Sequence, residues 1–414
     1  MFTLKADIKN HMADLRSFSF IGDPGCDGLG AEIMSIFYLA LSHAAGDFVL
    51  IGGDIVPNGS KHFYEDITAL IDGAAQKPVY MLCGNHDTEG YEHYFGKKDY
   101  YVYSDKMLLV VLDNSKRVFS EQTLNLLDLA LKENHRDSIV IAFHIPPPNS
   151  VSKNSVSREE WNKALKIIGP YREQVKYLLC GHIHSYFEDT VDGMKLIASG
   201  GGGARIEKVD GIETPYNHWV EFFFDEDGSL RYERKNVSLK DMQRGISDEV
   251  KKALNESFTN ECKAHVLYRL YGEEANKQGK NGIARLFFAA ADAEFFHARN
   301  HYYTMGAIKD TRDSILQSIE NEHFEASTFY KDFIELAKTK RDGLAQNAFR
   351  DAAAAERVHA GFFEDALKAL DDHGDYPEKQ YYTCTSCGFT FSGSEKPKIC
   401  PVCGAPHDKI KDIL

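Results

Sequence analysis

The chain has 414 residues, of which 43% are hydrophobic and 27% are charged, and its formal net charge is −14. This length predicts about two or three domains with cores of their own. The negative charge argues against a protein that coats nucleic acid, so we expect nucleic acid at most as a small nucleotide substrate. The chain shows no apolar run of membrane-spanning length, and its N-terminus lacks the apolar segment of a secretory signal, which predicts a cytoplasmic protein without a membrane partner.

The eight cysteines fall into two classes. Four of them form two Cys-x-x-Cys pairs near the C-terminus, whereas Cys26, Cys83, Cys180 and Cys262 are scattered. This distribution indicates metal binding in a reducing compartment rather than a framework of disulfides.

Short apolar segments alternate with helical patterns between about residues 18 and 199. The predicted strands are 18–22, 48–53, 79–84, 108–113, 139–144, 175–181 and 195–199. The predicted helices are 28–44, 60–75, 120–133 and 158–168. Strands that are apolar throughout are buried on both faces, so this pattern predicts a layered α/β fold, and a hairpin is predicted to follow at 218–239.

Five of these strands are each followed directly by side chains of the kinds that bind metals. They are Asp23, Asp54, the run Gly84-Asn85-His86-Asp87, His144, and the run Gly181-His182-Ile183-His184. Any one of them alone would be read as an ordinary polar loop residue. Five in order, each at the carboxyl end of a strand, converge on one edge of a sheet, where open α/β folds place their sites.

This set of motifs resembles the calcineurin-like metallophosphoesterase family over roughly residues 15–235. The resemblance implies a four-layer α/β sandwich and hydrolysis of a phosphoester at a two-metal site. Mixed Asp, Asn and His ligands suit Mn, Fe or Zn ions, which lower the pKa of a water and neutralise phosphoryl oxygens. The phosphoester itself is not identified by the sequence, because loop shape selects it.

The same resemblance implies a role for each strand-end side chain. Asp54 would bridge both metals. Asn85, His144 and His182 would complete the ligands of one metal, and Asp23 and His184 would hold the other. His86 would act on the phosphate or the leaving group, and Asp87 would orient His86. His86 and Asp87 would thus be the catalytic residues, and the others the metal ligands.

One position departs from the first motif of that family, which is Asp-x-His. The sequence reads Asp23-Pro24-Gly25-Cys26-Asp27 and has no imidazole at position 25. Cys26 or Asp27 could replace it, water could fill the position, or the first metal could bind weakly. Cys26 could equally be an ordinary loop thiol, so one or two metals are expected in this site.

From about residue 240, Ala, Glu, Lys, Leu and Phe recur at helical spacing, which predicts helices at roughly 247–278, 280–306, 309–338 and 341–371. These helices carry potential metal ligands in a pattern that occurs twice. The pattern is Glu261 with Glu294-x-x-His297, then Glu322-x-x-Glu325 with Glu356-x-x-His359. Residues three apart share a helix face, so each pair can aim both side chains at one point.

The repeat indicates a duplicated helical hairpin, the device by which a four-helix bundle holds two iron or manganese ions. Glutamates on helices are usually solvated. These ones lie within apolar and Ala-rich faces, where burying so many carboxylates without a metal would be prohibitive.

The helical block resembles rubrerythrin, a non-haem diiron protein of the ferritin-like group, because Tyr268 and Tyr330 match the tyrosines that stand beside the ligands in that family. The resemblance implies reduction of hydrogen peroxide to water at a diiron centre. It implies as ligands Glu261, Glu294, Glu322, Glu356 and His359, with His297 and Glu325 alternating on one iron with redox state.

Two Cys-x-x-Cys knuckles follow a polar segment at 373–380. They consist of Cys384, Cys387, Cys400 and Cys403, a tetrathiolate set whose metal stabilises the tail that carries it. Tetrahedral sulfur geometry serves both zinc and iron.

The aromatic residues Tyr382, Phe389 and Phe391, and the position after a diiron bundle, resemble the rubredoxin-like tail of rubrerythrins. That resemblance implies one iron, which passes single electrons to the diiron site. In the family this transfer runs between subunits, which implies a homodimer or a higher homo-oligomer. It also implies an external electron donor such as an NAD(P)H-rubredoxin reductase.

We therefore predict three domains: a metallophosphoesterase at 1–242, a diiron four-helix bundle at 243–373, and a rubredoxin-like iron domain at 374–414. The predicted function is bifunctional, with phosphoester hydrolysis and peroxide reduction in a response to oxidative stress. Two alternatives stay open. The redox half could gate the phosphoesterase as a sensor, or the phosphoesterase domain could be a degenerate, non-catalytic module.

Overall fold

The computed structural model describes residues 2–13, 15–87, 89–134, 136–212, 216–241 and 245–413. The chain forms two compact units, Met1–Ile308 and Lys309–Leu414. Among the described residues, no helix combines the length and the apolar character needed to cross a membrane.

The first unit contains twelve strands and seven α-helices among its described residues. The strands are β1 (Lys9–His11), β2 (Ser17–Ile21), β3 (Val49–Ile51), β4 (Val79–Met81), β5 (Tyr100–Tyr103), β6 (Met107–Leu112), β7 (Ser138–Phe143), β8 (Val175–Cys180), β9 (Tyr186–Val191), β10 (Met194–Ser199), β11 (His218–Phe224) and β12 (Leu230–Asn236). The helices are α1 (Ala31–His43), α2 (Lys61–Ala74), α3 (Tyr91–Phe95), α4 (Glu121–Glu133), α5 (Arg158–Ile168), α6 (Asp248–Lys277) and α7 (Asn281–Thr304).

Two sheets stack face to face in this unit. One has the strand order β12-β11-β2-β3-β4, and the other has the order β1-β5-β6-β7-β8-β10-β9. Their facing sides share an apolar core that includes Phe18, Leu50, Leu109 and Val140. Helices α1 and α2 cover the outer face of the smaller sheet, and α4 and α5 cover that of the larger one. These four layers confirm the predicted α/β sandwich.

The strands that the sequence missed lie mostly at sheet edges. Strands β1 and β9 are the two edges of the larger sheet, and β9 alternates buried and exposed residues. Edge strands carry polar and charged residues that discourage pairing with another chain, so they lack the continuous apolar run that marks a central strand. Helix α3 was missed because it is only five residues long.

Helices α6 and α7 form a hairpin within the first unit. The turn between them places Gly279 at φ 69°, a left-handed position that favours glycine after a helix end. Ala284, Ala291 and Ala298 are buried at seven-residue intervals along α7, so the two helices can approach closely. Helix α7 also packs against α1, which joins the hairpin to the sandwich.

The second unit begins with helices and ends with a small sheet. Its elements are α8 (Thr311–Phe324), a π-helical segment (Glu325–Phe329), α9 (Tyr330–Lys340), α10 (Gly343–His373), β13 (Tyr381–Cys384), β14 (Thr390–Ser392) and β15 (Ile410–Ile413). The strand order of the sheet is β14-β13-β15. The sheet packs on α10, where the rings of Phe362 and Tyr381 lie 5.5 Å apart.

The π-helical segment interrupts what the sequence predicts as one helix over 309–338. It begins at Glu325, and Ser327 donates a hydrogen bond from its hydroxyl to the carbonyl of His323. The helical pattern resumes directly after this segment, so the sequence predicts one continuous helix. Such segments are frequent at functional sites.

The multidomain fold class is confirmed for the sandwich, the helical region and the cysteine-rich tail. The two helical hairpins of the sequence repeat fall in different units, since the first unit ends at Ile308. The predicted domain boundaries stay predictions, and the one after residue 242 lies outside the described residues.

Candidate metal centres

Three predicted ligands stand where strands end, on a backbone that few residues adopt. Asp23 follows β2, Asp54 follows β3 and His182 follows β8, with φ angles of 54°, 51° and 66°. A left-handed conformation at a residue other than glycine costs on the order of 1 kcal/mol or more, and it persists only where the surrounding structure holds it. The chain therefore turns sharply at these strand ends and presents the three side chains there.

His144 is held in one ring orientation by the backbone. Its Nδ1 lies 2.9 Å from the carbonyl oxygen of Gly52, which fixes the proton on Nδ1. The other nitrogen, Nε2, lies 3.3 Å from Oδ1 of Asp54 and 3.2 Å from Oδ1 of Asn85. A hydrogen bond on one ring nitrogen is the usual way to orient the other nitrogen toward a metal.

His182 is placed by Asp23 and flanked by two residues that sequence reasoning missed. The carboxylate of Asp23 accepts a hydrogen bond from the backbone amide of His182 at 2.9 Å. The Nε2 atom of His182 lies 3.1 Å from Nη2 of Arg117 and 3.0 Å from Oδ1 of Asn154. Arg117 and Asn154 belong to loops that only the fold brings here, so no sequence pattern marks them.

Two groups of ligand-type side chains share Asp54. They are Asp54, His144 and His182, and then Asp23, Cys26, Asp54 and His184, with all ligand atoms of a group within 4.8 Å of one another. If each group held a metal, the two metals would share the carboxylate of Asp54. The structure thus brings all the predicted ligands of this site together and adds Cys26.

The buried carboxylates of this site require positive charge nearby. Burial raises the pKa of Asp23 well above its usual range. Burial alone would lower the pKa of His144, but the carboxylates of Asp54 and Asp23 raise it to about 10. Buried carboxylates are paired or coordinate metals, because an unpaired charge in the interior is very costly. The donor set therefore fits metal ions.

The two predicted catalytic residues contact different parts of the site. Nδ1 of His86 lies 2.9 Å from the carbonyl oxygen of Pro57, which orients the ring, and Nε2 lies 3.9 Å from Oδ2 of Asp54. Asp87 is fully buried and accepts hydrogen bonds from the amides of Ile55, Val56 and Gly84. Its carboxylate thus ties together the loops that carry Asp54 and Asn85, whereas the carbonyl of Pro57 holds the imidazole of His86.

A second candidate centre lies between α6 and α7 of the first unit. It consists of Glu261, Glu294 and His297, whose ligand atoms lie within 4.8 Å of one another. Nδ1 of His297 is 2.8 Å from Oε2 of Glu294, and a hydrogen bond with Glu294 raises the pKa of Glu261. Two carboxyl groups this close need a proton or a cation between them.

The matching half of the repeat lies in the second unit. Nδ1 of His359 is 2.9 Å from Oε2 of Glu356 and 3.6 Å from Oε2 of Glu322. That oxygen of Glu322 is buried without a hydrogen-bond partner in the part of the chain that the structure describes. Burial and the neighbouring Glu356 raise the pKa of Glu322 to about 7. An orphaned acceptor among crowded carboxylates fits a bound metal cation.

The remaining predicted residues of the helical region differ in position. Glu325 opens the π-helical segment outside the group of Glu322, Glu356 and His359. Burial and the charge of Glu325 raise the pKa of Tyr330, which places this tyrosine beside the carboxylates. The ring of Tyr268 instead packs near the ring of Phe287, with centroids 6.2 Å apart.

The four knuckle cysteines converge in the tail. The Sγ atoms of Cys384 and Cys403 are 3.7 Å apart, and those of Cys387 and Cys400 are 3.6 Å apart. A tetrahedron with metal–sulfur bonds of about 2.3 Å has edges of about 3.8 Å, so the spacing fits a tetrathiolate metal. Burial opposes the change, but the backbone amides of Ser386 and Cys387 lower the pKa of Cys384 to about 7.

A hydroxyl of the tail touches the helical centre. Oγ1 of Thr390, in β14, lies 2.9 Å from Nε2 of His359. The same imidazole faces the carboxylate of Glu356 with its Nδ1. Sequence reasoning missed Thr390, because a threonine in a short strand carries no pattern that predicts contact with a helix.

Three family models match the chain. The model for calcineurin-like phosphoesterase matches residues 17–186. The rubrerythrin model matches 252–367 and 313–391, and the model for the rubredoxin-like domain of rubrerythrin matches 382–411.

Known proteins resemble different parts of the chain. Rubrerythrin-2 of Clostridium acetobutylicum is 31% identical over 172 residues, which cover 38% of this chain and 93% of the relative. A nigerythrin structure in a mixed-valent state is 25% identical and covers 43% of this chain and 94% of its own, with a TM-score of 0.23. A dimetal phosphatase from Danio rerio is 15% identical and covers 54% of this chain and 96% of its own, with a TM-score of 0.41.

The helical region and the tail thus have a relative above 30% identity whose length this chain spans almost completely. The sandwich that precedes them matches a different family. The chain belongs to the rubrerythrin family and carries a calcineurin-like phosphoesterase domain in front of its diiron-type and rubredoxin-like regions.

Proposed function

We propose that the protein is a bifunctional metalloenzyme, which hydrolyses a phosphoester in the sandwich and reduces hydrogen peroxide in the helical region. The observation that carries the hydrolase half is the position of Asp54 in two adjoining groups of ligands. When bound there, two divalent ions of Mn, Fe or Zn would lower the pKa of a water and neutralise phosphoryl oxygens.

His86 supports this proposal through its position at the mouth of the site. Its Nδ1 is held by the carbonyl of Pro57, so its Nε2 faces the site, and the ring in its doubly protonated form would donate the Nε2 proton to the phosphate or the leaving group. A cleft of about 380 Å³ opens beside it and is lined by Asn58, Ser60, Asn85 and Glu89 as well. A cleft of this size suits a small phosphoester.

Arg117 supports binding of an anionic substrate. Its guanidinium stands at the edge of the metal ligands, beside His182, and is exposed. A planar guanidinium can bind two oxygens of a phosphate at once. We assign Arg117 the role of orienting the phosphoryl group.

Hydrolysis of bis(p-nitrophenyl) phosphate with added Mn²⁺ tests the hydrolase half. Replacing the bridging carboxylate in Asp54→Asn is expected to lower turnover by more than the roughly 10–100-fold typical of an outer partner of a metal ligand. His62→Ala, at an exposed position of α2, is the matched control and should retain full turnover. No turnover in the wild-type protein, together with no bound metal in the sandwich, would support the alternative of a non-catalytic module.

For the redox half, we infer that the carboxylate and histidine groups of the helical region bind the two irons through the predicted ligands. The orphaned Oε2 of Glu322 and the shared hydrogen bond of Glu261 and Glu294 support metal binding in both groups. When bound, iron would supply the two electrons that, with two protons, convert hydrogen peroxide to water. A homodimer and a reductase as external donor remain part of this proposal.

The contact between Thr390 and His359 supports an electron route within one chain. Nε2 of His359 and the hydroxyl of Thr390 share a hydrogen bond, and Nδ1 of the same ring faces Glu322 and Glu356. Thr390 follows Cys387 by three residues, so β14 links the tetrathiolate group to the imidazole. We propose that electrons pass along this link, a route that differs from the transfer between subunits implied by the resemblance.

Metal analysis with visible spectroscopy of anaerobically purified protein tests the redox half. The expected result is about three irons per chain, with a red ferric-thiolate chromophore that a reductant bleaches and that peroxide restores. Zinc in place of iron in the tail would rule out its role as an electron donor. One or two further metals per chain would belong to the sandwich.

A second candidate function is a phosphoesterase gated by the redox half. The favouring observation is that burial and the nearby charge of Glu32, in the first turn of α1, raise the pKa of Tyr303, near the end of α7, which places the two side chains close together. Glu294 and His297 lie on the same helix as Tyr303, and α1 begins directly after the loop of Cys26. Displacement of α7 would therefore reach the metal ligands of the sandwich.

Phosphoesterase rates of reduced and peroxide-treated protein test the gating. A rate that changes on oxidation in the wild type and stays constant in Tyr303→Phe supports it. Equal rates in both states of the wild type eliminate it and leave two independent activities.

A further inference from the structure

The loop after β2 has no room for the imidazole that its family motif would place at position 25. Gly25 donates its amide to the carbonyl of Asp54 at 3.0 Å, which draws the loop against the next strand end. A Cβ atom at position 25 would overlap the carbonyl oxygen of Ile55. Only glycine fits this close approach of two backbones.

The next residue is turned toward the site instead. The carbonyl of Gly25 accepts a hydrogen bond from the amide of Gly28 at 3.1 Å, which closes a turn with Cys26 and Asp27 at its centre. Cys26 is 9% exposed and its Sγ lies 3.3 Å from Nε2 of His184. The same Sγ lies within 4.8 Å of the ligand atoms of Asp23 and Asp54.

Asp27, the other candidate substitute, points elsewhere. It is exposed, and its Oδ2 accepts a hydrogen bond from the backbone amide of Arg205 at 2.8 Å. Asp27 is absent from the ligand groups formed by the described residues. The turn therefore separates the two candidates and leaves the thiol alone facing the site.

We infer that Cys26 replaces the missing histidine as a ligand, so that Asp23, Cys26, His184 and the shared Asp54 hold one metal through two carboxylates, an imidazole and a thiolate. This inference rests on the proposed metal site of the phosphoesterase and adds an assigned ligand and a metal preference to it. Binding breaks the S–H bond, forms a sulfur–metal bond and releases the proton to solvent.

A thiolate changes which metal this position selects. Soft sulfur ligands favour zinc and ferrous iron, whereas sites of oxygen and nitrogen alone also accept manganese and magnesium. The other group, of Asp54, Asn85, His144 and His182, has no sulfur. The two positions should therefore differ in metal, with zinc or ferrous iron beside Cys26.

Cobalt(II) loading of the full chain tests the ligand directly, because cobalt–thiolate bonds absorb in the near ultraviolet. The tail cysteines contribute equally to wild type and Cys26→Ser, so their bands cancel in the difference spectrum. We expect a thiolate band in this difference and none in the difference between wild type and Cys180→Ser. Cys180 is a fully buried thiol of β8 outside the ligand groups, which makes that variant the matched control.

Metal competition gives a second readout that loss of packing would not produce. In Cys26→Ser, zinc should bind the sandwich at least about 10-fold more weakly relative to manganese than in the wild type. Circular dichroism and thermal unfolding show whether the variant folds. An unchanged zinc-to-manganese ratio, with no thiolate difference band, overturns the inference.

Alkylation of the wild-type protein serves if the variant fails to fold. Cys26, whose side chain is 9% exposed whereas that of Cys180 is fully buried, should react slowly with iodoacetamide in the zinc-free protein and be protected after zinc is added. Exposed Cys262 should react in both states, and Cys180 in neither. Equal labelling of Cys26 with and without zinc overturns the inference.

The outcomes separate this inference from the proposed hydrolase. Phosphodiester turnover without a thiolate band supports the proposed hydrolase activity and shows that Cys26 is not a ligand. A thiolate band without phosphodiester turnover shows that Cys26 is a ligand and contradicts the proposed hydrolase activity.

Discussion

The imidazole of His359 and the hydroxyl of Thr390 lie 2.9 Å apart, Nε2 to Oγ1, and join the helix α10 to the strand β14. One ring nitrogen faces the carboxylates of Glu322 and Glu356, and the other faces the tetrathiolate tail. The imidazole thus stands between two candidate metal centres of the same unit.

We expect Thr390→Val to slow reduction of the helical iron centre by its tail by about 10-fold or more, the scale of losing an outer partner of a metal ligand. Valine keeps the shape of threonine but forms no hydrogen bond with the imidazole. Stopped-flow absorbance of the tail chromophore measures the rate. Thr390→Ser keeps the hydroxyl and should retain the rate; equal rates in all three proteins would contradict the route through Thr390.

Glu322→Gln should weaken iron binding and should maintain or raise the thermal stability of the iron-free protein. Because burial and Glu356 raise the pKa of Glu322, the charged carboxylate is unfavourable without a cation, and a neutral amide relieves this. The iron-free variant should therefore unfold at a temperature equal to or above that of the iron-free wild type at pH 8. Iron content should fall by about one or two per chain.

Matched scanning calorimetry and metal analysis decide this prediction. Glu320→Gln, at an exposed position of α8, provides the control and should change neither quantity. Retention of full iron content in Glu322→Gln would show that this carboxylate is not a ligand.

Asp87→Ala should destabilise the sandwich even in the absence of metals. The buried carboxylate accepts hydrogen bonds from the amides of Ile55, Val56 and Gly84, and alanine leaves all three without a partner. The expected loss is on the order of 3 kcal/mol or more in the free energy of unfolding. Urea unfolding in the presence of a chelator measures it, with Asp66→Ala at an exposed position of α2 as the control. A loss as small as that of the control would mean that water replaces the carboxylate.

Removal of the tail metal should unfold the tail and leave α10 folded. Cys384 and Cys400 are the most buried side chains of the small cluster at its centre, so the metal replaces much of an apolar core. Hydrogen exchange after chelation should show loss of protection in β13–β15, with protection retained in the middle of α10. Protection that persists in these strands would mean that the tail folds without metal.

The sequence predicts the central strands well because their apolar runs are continuous. The run at 175–181 corresponds to β8, and the ligand-type residues that follow such runs do come together. Convergence follows from parallel strands ending at one edge of a sheet. Edge strands such as β9 lack a continuous apolar run because polar residues interrupt it, so the sequence does not predict them.

The contacts that the sequence does not predict depend on loops and on the meeting of separate elements. Asp23-Pro24-Gly25-Cys26-Asp27 leaves both Cys26 and Asp27 open as substitutes, and only the turn of the backbone distinguishes them. Arg117 and Thr390 approach histidines 65 and 31 residues away in the chain. No local periodicity encodes such distances.

The overlap between a side chain at position 25 and the carbonyl of Ile55 has an evolutionary consequence. A single Gly25→His substitution does not restore the Asp-x-His motif, because the loop must first move away from the neighbouring strand end. Intermediates on that path would lose the turn that presents Cys26 before they gained a usable imidazole. Exchanging the sulfur ligand for a histidine ligand therefore requires a new course of the loop backbone as well as a new side chain.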